Sequence, residues 1–153
     1  MQTVYTDTLS NLLELHAEIR KAIEALPAEA LDWTPGFDTN SLSVLVMHVT
    51  GAQRYWIGDV VAGEPSGRDR EAEFRVTGWT AAELTRRLDE NEAYLKSVFE
   101  RLTLPDLEAA RISPRNGREV TVGWALGHVL KHTALHVGHI EILRQLWEQE
   151  RQR

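Results

Sequence analysis

With 153 residues, 42% of them apolar and 26% charged, the chain has the makeup of one globular domain with a sizeable core. Seventeen basic against 23 acidic residues leave a net charge of −6, which argues against a basic nucleic-acid-binding face or an anionic membrane surface as partner. There is no cysteine, so a disulfide framework and a cysteine nucleophile are excluded, and any metal site must draw on His, Asp, Glu or water.

The N-terminal residues, Met1 to Asp7, lack the basic and apolar regions of a signal peptide, and no uncharged apolar run is long enough to span a bilayer. The expectation is a cytoplasmic protein. A first helix is predicted from about Thr3 to Leu26, where Leu9, Leu12, His16, Ile19, Ile23 and Leu26 recur at helical spacing with a histidine inside the stripe. Pro27 stops it. In the next segment Pro35-Gly36 reads as a turn, and Trp33 is expected to cover one end of the core.

Asn40 or Ser41 caps a second helix, whose stripe is Leu42, Leu45, His48, Val49, Ala52, Trp56 and Val60, with Gly63 suited to its C-terminal end. The stretch from Glu64 to Trp79 is irregular, with Pro65, Gly67 and charges of alternating sign, and is anchored by Phe74 and Trp79. A loop of this length either closes over a pocket or simply connects two helices. Thr80-Ala81-Ala82-Glu83 is a capping box opening a third helix, with Leu84, Leu88, Asn91, Leu95, Val98, Phe99 and Leu102 on its stripe. Asn91 interrupts that stripe and calls for a partner. Pro105 marks the end of the helix. Asn116-Gly117 signals a turn, and Glu119-Val120 a short extended piece, before Thr121 caps a fourth helix from Val122 to about Gln149. Four amphipathic helices with almost no strand signal predict an all-α four-helix bundle over residues 1–153.

The fourth helix carries four of the six histidines. At about 100° per residue, His132, His136 and His139 fall roughly 40°, 80° and 20° round from His128. The sector also holds Val122, Val129 and Leu143, so it is expected to face inward. Histidines aimed at a core need a reason, because an unpaired buried polar group costs about 1–3 kcal/mol. Two histidines at i and i+4 reach a single ion, and both His132/His136 and His128/His132 have that spacing. His48 is the leading third ligand and His16 the second candidate. His16 is read in preference as a hydrogen-bonded histidine of the core. His128 and His139 are read as neighbours of the site, and Trp56 as a pocket or core residue. Three imidazoles without a thiolate suit Zn²⁺ or Ni²⁺, and three protein ligands leave a position for water or substrate. No Gly-rich phosphate loop is present, and Thr133-Ala134-Leu135 between His132 and His136 lacks the glutamate of a metalloprotease helix.

His48 in Leu45-Val46-Met47-His48-Val49, followed downstream by His132-x-x-x-His136-x-Gly138-x-Ile140 and Leu143-Arg144, resembles the DinB/YfiT-like superfamily. Leu31-Asp32-Trp33-x-Pro35, and Arg54-Tyr55-Trp56 with Ala62-Gly63-Glu64-Pro65 after it, extend the likeness over most of the chain, the latter stretch looking most like the mycothiol-linked branch. The resemblance implies a four-helix bundle, often a homodimer, with a zinc or nickel site at His48, His132 and His136. It also implies a thiol S-transferase that joins a low-molecular-weight thiol to an electrophilic substrate. A metal-binding or stress-related bundle without turnover, and a metal-dependent hydrolase, are the alternatives. Where relatives read His-Arg-Gly-Gln, this chain reads His136-Val137-Gly138-His139, which makes His139 an alternative ligand candidate.

Overall fold

The computed structural model describes residues 1–152. Helix α1 spans Thr3–Ile23 and is followed by a short α2, Ala28–Asp32. Helix α3, Leu42–Gln53, continues as a π-helical segment, Arg54–Ala62. A one-turn α4, Arg70–Glu73, precedes α5, Ala81–Phe99. A 3₁₀ turn at Leu104–Glu108 leads to strands β1, Ala110–Ile112, and β2, Glu119–Thr121, and then to α6, Val122–Glu150.

Local chemistry explains most of these limits. Ser41, Thr80 and Thr121 accept hydrogen bonds from the backbone N–H of Val44, Glu83 and Trp124, and Glu83 reaches back to Thr80 to complete the capping box. Gly63 closes the π-helical segment in the left-handed conformation (φ 68°), as its place after the apolar run predicts. Helix α1 ends earlier than the expected Leu26: Ala25 turns left-handed (φ 57°), and Glu24 N–H closes the last turn on Arg20 O. Similarly, α5 stops at Phe99 rather than running to Pro105. The predicted extended piece pairs as an antiparallel two-stranded ribbon, with Arg111 opposite Val120.

Helices α1, α3, α5 and α6 form the bundle. Both α1 and α3 pack on α5 and α6, so the first two long helices stand across the bundle from each other instead of side by side. One core cluster joins Ile19, Ile23, Leu45, Val49, Leu84, Leu88 and Ile140; the other joins Leu12, Ile57, Leu95, Phe99, Ala125 and Val129. Helix α3 is buried on most of its faces, which carries His48 into the interior. No helix among the described residues is long and apolar enough to cross a membrane.

The histidine stripe of α6 required correction. The side chains that enter the core are Val122, Ala125, Leu126, Val129, Thr133, Val137, Ile140 and Leu143. His128, His132 and His136 are half-buried and His139 is exposed, so the four imidazoles border the apolar face rather than sharing its centre. The second helix also departs from a uniform α-helical stripe. Beyond Gln53 its wider turns place Ile57 and Val61 in the core and leave Trp56 packed against the edge.

Candidate metal centre

The structure brings together His48 from α3 and His132 and His136 from α6. One ring nitrogen from each lies within 4.8 Å of those of the other two. His48 Nε2 and His132 Nε2 are 3.1 Å apart. Two nitrogens bound tetrahedrally to zinc at about 2.0–2.1 Å would stand about 3.3 Å apart, so the spacing already matches that of ligands round one small ion. The bundle topology makes this possible: α3 and α6 are packed neighbours, while His132 and His136 project from successive turns of one edge of α6.

His48 is fixed from behind. Its Nδ1–H donates to Glu73 Oε2 (3.1 Å), which leaves the Nε2 lone pair directed at the other histidines. Glu73 is itself held by Arg68, whose Nε and Nη2 donate to Oε1 at 2.5 Å and Oε2 at 2.8 Å. Burial pushes the Glu73 carboxyl up, but hydrogen bonds from Arg68 and then His48 outweigh it and hold the group below the usual carboxylate range. Glu73 is therefore an anion and an acceptor. Burial first, and then the neighbouring histidines, push His132 down to about 3 and His136 down to about 4. Near pH 7 both present neutral imidazoles with free lone pairs, the form that binds metal.

Gly51 makes the contact with Glu73 possible. A Cβ at this position would collide with Oε1 of Glu73 and lie 2.9 Å from its Cδ and 3.2 Å from Arg68 Nε. The irregular segment after α3 is thus more than a connector: it delivers Arg68 and Glu73 to the back of His48 and sets the Phe74 ring 5.1 Å from the His48 ring. It also roofs a cavity of about 470 Å³ lined by Met47, Thr50, Arg54, Arg87 and Tyr94. Neither Arg68 nor Glu73 was singled out from the sequence. A one-turn helix capped by Asp69 was the available local signal, and it says nothing about what Glu73 meets across 25 residues of chain.

The other sequence candidates separate. His16 is fully buried and is not among the converging ligands; its Nδ1 bonds Glu92 and its Nε2 bonds Gln53 at 3.0 Å. Gln53 in turn accepts from Asn91 and donates to Thr133 Oγ1, giving Asn91 the partner its place in the stripe requires. His139 stays exposed, with Nδ1 3.4 Å from His136 Nδ1, and is not among the converging ligands. His128 lies beside His132 (ring centres 5.9 Å apart), stacked on Trp124 and against Trp56. Arg144 donates to the carbonyls of Ala22 and Glu24 at the end of α1 and pairs with Glu148.

A family model described as Mycothiol-S-transferase matches residues 8–149. Among solved structures, a conserved protein from Enterococcus faecalis superposes with a TM-score of 0.80 at 14% identity, covering 95% of this chain and 98% of that one. YfiT from Bacillus subtilis, described as a probable metal-dependent hydrolase with an unusual four-helix bundle topology, gives 0.75 at 16% identity, with 95% and 89% covered. A DinB-like protein from Bacillus subtilis gives 0.69 at 17% identity, with 91% and 90% covered. At these identities the structural likeness is one of fold. No curated protein matches the chain in sequence.

Proposed function

The chain belongs to the mycothiol S-transferase family, and on that premise we propose that it is a divalent-metal-dependent transferase joining a low-molecular-weight thiol to an electrophile. The observation that carries the reading is the convergence of His48, His132 and His136, backed by Glu73 and Arg68. The donor set fits a divalent ion such as Zn²⁺ or Ni²⁺: three imidazole nitrogens, one backed by a carboxylate on its other ring nitrogen. An ion held there supplies Lewis acidity that favours the thiolate form of a thiol. Glu73 keeps the His48 proton on Nδ1, and Phe74 shields one side of His48 from water. The thiol gives up its S–H proton to solvent, its sulfur forms a bond to the electrophilic carbon, and the leaving group departs with the bonding pair. Because the chain has no cysteine, the sulfur comes from the cosubstrate.

The test is elemental analysis of the purified protein and its His132→Ala variant, followed by incubation of an alkylating electrophile with thiol or with water alone. About one divalent ion per chain in the parent, lost in the variant, and a product carrying the thiol are expected. Unchanged metal content in His132→Ala refutes the site. A hydroxylated product formed without thiol would instead support the second reading, a hydrolase, which the fold likeness to YfiT favours. Bound metal without turnover would leave a non-catalytic metal-binding bundle.

We also infer a homodimer. Leu135, Ile142 and Leu146 are exposed on α6 with His139 among them, spaced 4, 3 and 4 residues apart as in a helix-pairing seam. Beside them lies an apolar cavity of about 440 Å³ lined by Pro35, Leu45, Ile142, Leu143 and Leu146. A second copy laid on this stripe would cover an apolar surface that a monomer leaves in water.

A further inference from the structure

A row of rings runs along α6 away from the metal centre. His132 neighbours His128 at 5.9 Å between ring centres; His128 stacks on Trp124 at 4.8 Å and 12°; and Trp56 closes the side of both, 4.9 Å from His128 and 5.3 Å from Trp124. The row ends under a cation, with Arg118 Cζ 4.3 Å above the Trp124 ring. From residue 132 to residue 124 the row spans about 12 Å of helix at about 1.5 Å per residue. Trp56, Trp124 and His128 are all half-buried, so ring surface remains open to solvent.

His128 Nδ1 is enclosed without a hydrogen-bond partner, as are Asp32 Oδ1 and Ser43 Oγ elsewhere; what sets this row apart is the cation at its end. Arg118 has the Trp124 ring as its side-chain partner and forms no ion pair among the described residues. A hollow of about 250 Å³ opens there, lined by Ala110, Arg118, Glu119, Val120, Thr121 and Trp124. Its one carboxylate, Glu119, is exposed.

We propose that the electrophile is a planar aromatic or conjugated molecule bearing an anionic group, laid along Trp56, His128 and Trp124 with its anion on Arg118 and its reactive end toward His132. Because His128 and Arg118 already lie against the Trp124 ring, a flat guest would meet the half-exposed ring edges and the Trp56 side of the row, and a planar guanidinium without a carboxylate partner matches a carboxylate in bidentate fashion. This inference rests on the transferase reading for the direction of the guest, but not for its binding.

The experiment measures dissociation constants by calorimetry on the purified protein for 2-naphthoate (flat, anionic), 2-naphthamide (flat, neutral) and cyclohexanecarboxylate (anionic, not flat). At least tenfold tighter binding of 2-naphthoate than of either other probe is expected. Arg118→Gln should erase the advantage over the amide and keep that over cyclohexanecarboxylate. Trp124→Leu should weaken 2-naphthoate about tenfold with metal content unchanged. Equal binding of the three probes, or unchanged 2-naphthoate affinity in Arg118→Gln, overturns the proposal. Arg118 is on a surface ribbon, so that variant stands even if Trp124→Leu fails to fold. Loss of the metal reading would appear in the elemental analysis and leave the probe ranking unaffected, so the two failures are distinguishable.

Discussion

Gly51→Ala is the sharpest test of how the metal centre is supported. Glycine in a helix interior ordinarily costs about 1 kcal/mol relative to alanine, so this substitution would normally stabilise α3. Here the added Cβ would collide with Glu73 Oε1 and sit 2.9 Å from its Cδ, where 3.4 Å is the ordinary limit. The carboxyl carbon must therefore retreat by at least 3.4 − 2.9 = 0.5 Å, and the oxygen by more. Glu73 is the end of a flexible side chain and can move, so the fold survives. What it loses is position: the 3.1 Å bond to His48 Nδ1 and the paired bonds to Arg68 cannot all be kept. Removing such a partner behind a ligating histidine typically weakens metal affinity about 10–100-fold, or about 1.4–2.8 kcal/mol. The assay is competition with a chromogenic chelator, run beside thermal melting of the metal-free protein. The expected result is a melting temperature near the parent's with affinity lowered by that factor. Parent-like affinity in Gly51→Ala would refute the claim that Glu73 orients His48.

Thr80→Ala removes the side-chain half of the α5 capping box and should cost about 0.5–2 kcal/mol in urea unfolding, with metal content unchanged. Glu92→Gln should flatten the acid side of the stability curve. Burial pushes Glu92 up, but hydrogen bonds from His16 and Arg20 outweigh it and hold the carboxyl below its usual range. The folded value is thus lower than the unfolded one of about 4.3, so the contribution is full above that pH and fades as the pH falls through the folded value. Equal parent and variant slopes in that window would count against the His16–Glu92–Arg20 cluster. Ile142→Glu should shift the protein to monomer in analytical ultracentrifugation without loss of helicity; a monomeric parent would remove the homodimer.

The four long helices were legible because their signals are local. Leu9 to Ile23, Leu84 to Phe99, and the caps at Ser41, Thr80 and Thr121 act within a turn or two, and a helix carries its own backbone hydrogen bonds. The His132/His136 pair was legible for the same reason, since i and i+4 share an edge whatever surrounds the helix. The π-helical turns after Gln53 were not. Within them, a Cβ at Gly58 would collide with Arg54 Nη1 and crowd Tyr94 Oη at 2.8 Å, and Tyr94 belongs to a different helix.

The sequence by itself determined the four long helices and the nominees His48, His132, His136, His16, Trp56, His128 and His139, but not the inward face of α6 or the π-helical end of the second helix. Only the tertiary structure separated them: His48 meets His132 across 84 residues because α3 packs on α6, while His16 turns to Glu92 and Gln53 instead. The Glu73–Arg68 support, the clearance at Gly51 and the ring row ending at Arg118 likewise arise where elements distant in sequence are brought to contact. Helical periodicity tells which way a side chain points; what it meets is decided by how the helices pack.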